Sequence, residues 1–242
     1  MNNNLNTPNS VFLIEANLNE IIEAMMFKDL SDFEKAFAQI QIFYLQSQVD
    51  KLKNLNFEDS NLSPFELMYL TELKSIRIAL REKTLTKQQI QSFISISSRE
   101  SYYKGDSLFV AAMGFETIND QIAAKQMYQL AAQELNAIGA YRKALKAFHN
   151  FVAAESRIHP ESNNTVEWHM IYKKARKLKD RVCAASALNN LAREYQIMGS
   201  FKTALKYSTK ALSLMGENKN TLNYFLTLLN HTHILFDLNS RS

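Results

Sequence analysis

Glycine is scarce in this chain. There are five glycines in 242 residues, with three prolines and one cysteine. Turn-rich β-sandwiches and glycine-dependent phosphate loops need more of both turn residues, so those classes are excluded. A lone cysteine, Cys183, excludes an intrachain disulfide framework and suits a reducing, cytoplasmic setting. Long apolar runs are also missing. The most apolar late stretch, 224–236, is broken by Asn230, His231 and His233, so no membrane insertion is expected. The first residues, Met1 to Pro8, have neither a basic segment nor an apolar core, and so do not read as a signal peptide. No Gly-x-Ser-x-Gly or paired-cysteine motif occurs, and the expectation is a non-catalytic protein without a cofactor. His231 and His233 lie two apart, where a helix would turn them to different sides, so no metal site is expected.

What the chain does have is apolar residues at helical spacing. Leu188, Leu191, Ala192 and Tyr195 fall at i, i+3, i+4 and i+7 before Gly199. Phe201, Ala204, Leu205, Ala211 and Leu212 continue the pattern after it. Gly199 has no Cβ to oppose a left-handed helix end. The segment 187–212 therefore reads as a helix, a tight turn and a second helix. Ala192, Ala204 and Ala211 let two backbones approach, and Tyr195, Phe201 and Tyr207 fill the gaps between them.

This alternation of small and large residues resembles a tetratricopeptide repeat, a helical hairpin of roughly 34 residues. Leu191, Ala192, Tyr195, Gly199, Phe201, Ala204 and Ala211 carry the resemblance. Ala192 stands where glycine is commonest, and no proline closes the unit. Shifting by 60 residues puts Gly139 on Gly199, with Ala132, Leu135, Tyr141, Ala144 and Leu145 in matching places. The resemblance implies an all-α fold, a superhelix of hairpins over about 106–240. An acidic helical segment, 1–62, and a helical hairpin, 63–105, precede it. No repeat falls between the two matching hairpins. A helix over 165–180 fills that gap, and its pairing reads as irregular.

The earlier helices are read from their starts. One is expected over 10–27. Ser31-Asp32-Phe33-Glu34 is a capping box opening a helix to about Asn54. Ser63-Pro64-Phe65-Glu66 adds proline at the first helical position and opens a helix to about Glu82. Thr86 opens a fourth, stopping before Gly105, and Asp106 or Ser107 is read as the cap of a short fifth. The last helix, 221–238, looks like the first half of a further unit and is expected to close the stack.

Two sets of residues are candidates for binding. In tetratricopeptide hairpins the first helix of each pair lines a concave surface. The run Leu188-Asn189-Asn190-Leu191-Ala192 resembles that segment in kinesin light chains and related peptide-binding repeats. The resemblance implies that Asn190 holds a peptide backbone, an asparagine amide being both donor and acceptor. Arg193 could hold a carboxylate. Asn189, Gln196, Gln133, Asn230 and His233 complete this set. The implied function is an adaptor or regulator that holds a peptide or helix of another protein. A ligand-sensing regulator is a second reading.

Charge supplies the other set. Residues 1–60 hold nine acids against four lysines, net −5, in a chain of net +4, so the remainder carries +9. Lys173, Lys174, Arg176, Lys177, Lys179 and Arg181 form one basic run, and Lys74, Arg77, Arg81, Lys83 and Lys87 another. Both read first as solvated faces or contacts with the chain's own acids. Nucleic acid is the third functional reading.

Overall fold

Helix starts depend on the few residues that can satisfy the first free N–H groups, and they are where the chain declares itself first. The structure, a computed structural model, describes residues 13–14, 16–57, 60–97, 101–216 and 221–240. These residues form twelve helices and, among them, no strand. The fold is all-α. By its contacts the chain divides into two units, 1–147 and 148–242.

In the first unit, Asn17 caps α1 (Leu18–Phe27), its Oδ1 accepting from the Asn19 and Glu20 N–H groups at 3.0 and 3.1 Å. The single helix expected over 10–27 is interrupted at Ala16 and Asn17, where the capping box of Asn17 and Glu20 starts α1; residues 13–14 are helical, and the expected start at 10–12 lies outside the described residues. Ser31 and Glu34 cap α2 (Asp32–Leu45) as expected. This helix ends at Leu45 rather than Asn54, because Ser47 turns left-handed (φ 58°) and Gln48 N–H closes back on Phe43 C=O at 2.9 Å. A short α3 (Val49–Asn54) follows. Ser63, Pro64 and Glu66 open α4 (Pro64–Glu82), as read. Thr86 and Gln89 bond reciprocally, at 2.9 and 3.3 Å, to open α5 (Lys87–Ser97).

The break expected near Gly105 is absent. Helix α6 (Ser101–Thr117) runs through Gly105, Asp106 and Ser107, so residue 105 falls inside a helix. Gly105 sits there because α7 (Gln121–Ala137) crosses it: a Cβ would lie 2.8 Å from Leu135 Cγ and 2.9 Å from Leu135 N. Asp106 caps nothing. It is fully buried and pairs with Lys143 of α8 (Tyr141–Ile158).

Four turns after α6 share the geometry already seen at Ser47 and repeated at Lys83, a left-handed residue at the helix end. The left-handed residue is Asn119 between α6 and α7 (φ 63°) and Gly139 between α7 and α8 (φ 82°). It is Lys179 between α9 (Thr165–Lys177) and α10 (Arg181–Ile197), with φ 57°. Gly199 serves between α10 and α11 (Phe201–Met215), with φ 73°. In each, the next N–H closes on a carbonyl five residues back: Asp120 on Phe115, Ala140 on Leu135, Asp180 on Ala175 and Ser200 on Tyr195, at 2.8–2.9 Å. Helices α9 and α10 therefore form a regular hairpin, which corrects the irregular pairing expected for 165–180. Asp180 belongs to the next helix, where it accepts from Cys183 N–H at 2.9 Å.

A non-glycine residue held left-handed costs about 1–2 kcal/mol, less for asparagine. Lys179→Gly should therefore stabilise the second unit by about 0.5–1 kcal/mol, and Asn119→Gly should gain less. Gly199→Ala should cost about 1 kcal/mol through backbone strain alone, since nothing lies within 4 Å of its added Cβ. Urea unfolding of the three variants checks the order.

Aromatic rings fill the first unit: Phe33 lies 4.8 Å from Tyr103, and Tyr69 lies 5.3 Å from Tyr103 and 5.9 Å from Phe93. The basic group 74–87 is engaged here. Lys74 donates to the Leu55 carbonyl at 2.7 Å, Arg81 to the Tyr44 carbonyl at 2.6 Å, and Lys87 pairs with Asp120 at 3.0 Å. Arg77 is buried over the Tyr44 ring.

Alanines bring the helices of the second unit together, as expected. Ala184, Ala185, Ala187 and Ala192 of α10, Ala175 of α9, and Ala204 and Ala211 of α11 are all buried. Tyr195 stacks on Tyr207, with centroids 5.3 Å apart. The last helix, α12 (Leu222–Ser240), packs on α10 and α11 through Ile234. On its other side Leu222, Phe225, Leu226, Leu229 and Phe236 are at least half exposed.

Candidate functional site

Burial of its alanines and leucines on one side of α10 leaves Ser186, Asn189, Asn190 and Arg193, at i, i+3, i+4 and i+7, on another. Neighbouring helices meet this polar side from two directions. From α8, His149 Nε2 lies 2.9 Å from Ser186 Oγ, and the Asn190 amide approaches the same nitrogen at 3.4 Å. That approach makes Nε2 the acceptor and puts the ring proton on Nδ1, where Asn150 Oδ1 accepts at 3.3 Å. The His149 ring stands edge-on to Trp168, 5.1 Å away. From α12, the Asn230 amide donates to Asn189 Oδ1 at 2.9 Å, and Asp237 accepts from the Gln196 amide at 2.6 Å.

The structure thus brings Asn189, Asn190, Gln196 and Asn230 together, all half-buried, with exposed Arg193 on the same helix face. His233, one turn beyond Asn230, is exposed. Gln133 is exposed on α7 in the other unit. Much of the amide capacity expected to face a peptide is engaged between helices. His149, Ser186 and Asp237 were missed in the sequence, although Ser186 follows from the same helical spacing. The bonds from α8 to α10 and from α10 to α12 join residues 37 or 41 apart, and the sequence alone does not say which polar groups meet at those offsets.

The first unit carries a similar row. Gln41 of α2 accepts from Arg77 of α4 at 3.4 Å, the Tyr69 hydroxyl of α4 lies 3.1 Å from Ser107 Oγ of α6, and Asp106 of α6 pairs with Lys143 of α8. These partners are 36–38 residues apart. In each unit, therefore, every second helix bonds to the next through polar side chains. Burial pushes the Lys143 ammonium below its usual range despite Asp106 beside it, and Arg77 adds to the lowering.

Behind α10 lies a second polar cluster. The Trp168 indole donates to Glu194 Oε1 at 3.3 Å, the Ser156 hydroxyl reaches the same oxygen at 3.5 Å, and the Asn164 amide donates to Ser156 at 3.0 Å. Glu194 and Trp168 are both buried, so this cluster fixes α8, α9 and α10 rather than facing a ligand. His231 Nδ1 lies 2.8 Å from Ser208 Oγ, away from His233. Cys183 is half-buried.

The basic run lies on and after α9, and Lys173, Lys174, Arg176, Lys177, Lys179 and Arg181 are all exposed. Arg181 is tied down, donating to the Leu214 carbonyl at 3.2 Å. Compared with known proteins, the chain matches no family model and no curated protein. No helix among the described residues is long and apolar enough to cross a membrane.

Proposed function

We propose that this chain is a non-catalytic protein-interaction module of a reducing, cytoplasmic compartment. Each unit is a short stretch of tetratricopeptide-like α-solenoid. The second unit holds a peptide segment or helix of a partner on the polar side of α8, α10 and α12. The observation that carries the reading is the row of half-buried polar groups His149, Ser186, Asn190, Asn189 and Asn230, crossing three helices in succession, with exposed Arg193 beside it. Such a row offers fixed donors and acceptors to an extended backbone, and Arg193 offers a charge to an acidic side chain. Rigid, already bonded amides lose little freedom when a ligand arrives, which favours binding.

A displayed random-peptide selection on the immobilised full chain tests this. Enriched peptides should bind the unaltered protein and lose about tenfold in affinity with Asn190→Ala/Arg193→Ala, the scale of one or two charge-assisted contacts. Far-UV circular dichroism should show the variant folded. Enriched peptides that bind the variant equally well would place the site elsewhere, and a selection that enriches nothing overturns the proposal.

A further inference from the structure

The basic run of α9 does not stand alone. Helix α11 packs beside it within the second unit, with the Tyr207 hydroxyl 3.5 Å from His169 Nε2 and Lys210 Nζ 4.9 Å from the centre of the Tyr172 ring. Lys202, Lys206 and Lys210 recur every four residues along α11 and are exposed. Together α9 and α11 carry seven cations, Lys173, Lys174, Arg176 and Lys177 with these three lysines, against one acid, Glu167. So one-sided a balance is a strong local positive field. Lys210 and Arg176 also draw down the Tyr172 phenol, the hydrogen bond from Lys210 being the main cause.

The surface is not only charged. An open hollow of about 950 Å³ runs along α9 from Val166 to Lys177. At its amino end Val166 is 74% and Met170 37% exposed, one turn apart on the side that continues into Lys173, Lys174 and Lys177. A phosphate backbone has nothing to place against those two apolar groups. The aromatic rings nearby do not offer stacking faces, since Lys210 covers Tyr172 and Tyr195 covers Tyr207. An amphipathic helix carrying glutamates and a pair of aliphatic anchors answers both halves of the surface.

We propose that the α9–α11 face is a docking site for an acidic amphipathic helix of a partner protein. Its aliphatic anchors seat on Val166 and Met170, and its carboxylates meet Lys173, Lys177, Lys206 and Lys210. From Val166 to Lys177 the face runs roughly 16 Å, about three helical turns. This site is separate from the polar row of α8, α10 and α12.

The probe is a synthetic helical peptide of roughly 16 residues, about eleven to span the face at the helical rise and the rest to complete its end turns, with leucines along one side and glutamates flanking them. Its twins replace glutamate by glutamine, or leucine by serine. Fluorescence polarisation with the full chain reads affinity, beside single-stranded DNA of equal length. The acidic peptide should bind, and more weakly as salt rises. Lys173→Glu/Lys177→Glu and Lys206→Glu/Lys210→Glu should each weaken it about tenfold. Val166→Ser/Met170→Ser should weaken it about fivefold. Asn190→Ala/Arg193→Ala should leave it unchanged. All altered residues except Asn190 are exposed, and circular dichroism verifies the fold of each variant. Equal binding of the glutamine twin, no binding at low salt, or indifference to Val166→Ser/Met170→Ser overturns the proposal. So does DNA that binds more tightly than the peptide and ignores the apolar substitutions.

Discussion

Asp106→Asn should lower the stability of the first unit by about 3–5 kcal/mol, the usual cost of stripping a buried charge of its partner. Asp106 is wholly buried, and the Lys143 side chain beside it is 13% exposed. Arg77, 4% exposed, is close enough for its charge to depress the Lys143 ammonium. One carboxylate therefore balances two cations. Removing it leaves two like charges away from water, with nothing opposite. Lys143→Met should cost far less, about 1–2 kcal/mol, because Arg77 and Asp106 then balance. That asymmetry is the diagnostic result, and urea unfolding followed by far-UV circular dichroism reads it.

The pH dependence has a definite sign. Lys143 titrates below its unfolded value of 10.5 in the folded protein, so between the two values the unfolded chain binds the extra proton. Stability from this group is therefore lowest below the folded value and grows as pH rises toward 10.5. In Asp106→Asn the folded value falls further, because the carboxylate that raises it is gone. The deficit of that variant should shrink as pH is raised from neutral. A deficit that stays constant with pH, or that Lys143→Met matches, would show that the charges are not coupled as described.

Gly105→Ala should destabilise the first unit by about 2–3 kcal/mol, although alanine is the better helix former by roughly 1 kcal/mol. The added Cβ would meet the Leu135 backbone nitrogen at 2.9 Å, and a helix backbone cannot swing aside. The two helices must separate, which opens the packing along their whole contact. Gly114, in the same helix, is the control. Its added Cβ meets only side chains, Leu85 Cδ2 at 2.8 Å and Ile90 Cδ1 and Cγ1 at 3.1 Å, which can give way more easily than a backbone. Gly114→Ala should be near neutral, the helical gain offsetting the crowding. Thermal unfolding of the two variants measures the gap, expected at about 2 kcal/mol. Gly105→Ala as stable as the unaltered chain would mean that α6 and α7 do not touch there.

Features set by a few adjacent residues were legible in the sequence. The capping boxes at Ser31 and Ser63 and the left-handed turns at Gly139 and Gly199 are local bargains between a side chain or a missing Cβ and the nearest backbone. The alanine stripe of α10 was legible too, since burial repeats with the helical period. The turns at Asn119 and Lys179 use the same geometry without the glycine. There the closing hydrogen bond and the packing of the flanking helices outweigh a strain of about 1–2 kcal/mol. Nothing in a lysine announces that outcome.

The polar side of α10 follows from spacing, and so Asn189, Asn190, Arg193 and Gln196 could be nominated. Their engagement with His149, Asn230 and Asp237 could not be read, because it joins helices 41 residues apart. Gly105 looked like a helix end and is a crossing point, since its role is dictated by Leu135. Sequence by itself determined that the chain is helical and where most helices begin and turn, because those choices are made within a few residues. Tertiary structure alone decided which polar groups face each other and which cations stand side by side, because side-chain contacts between helices depend on how the hairpins stack.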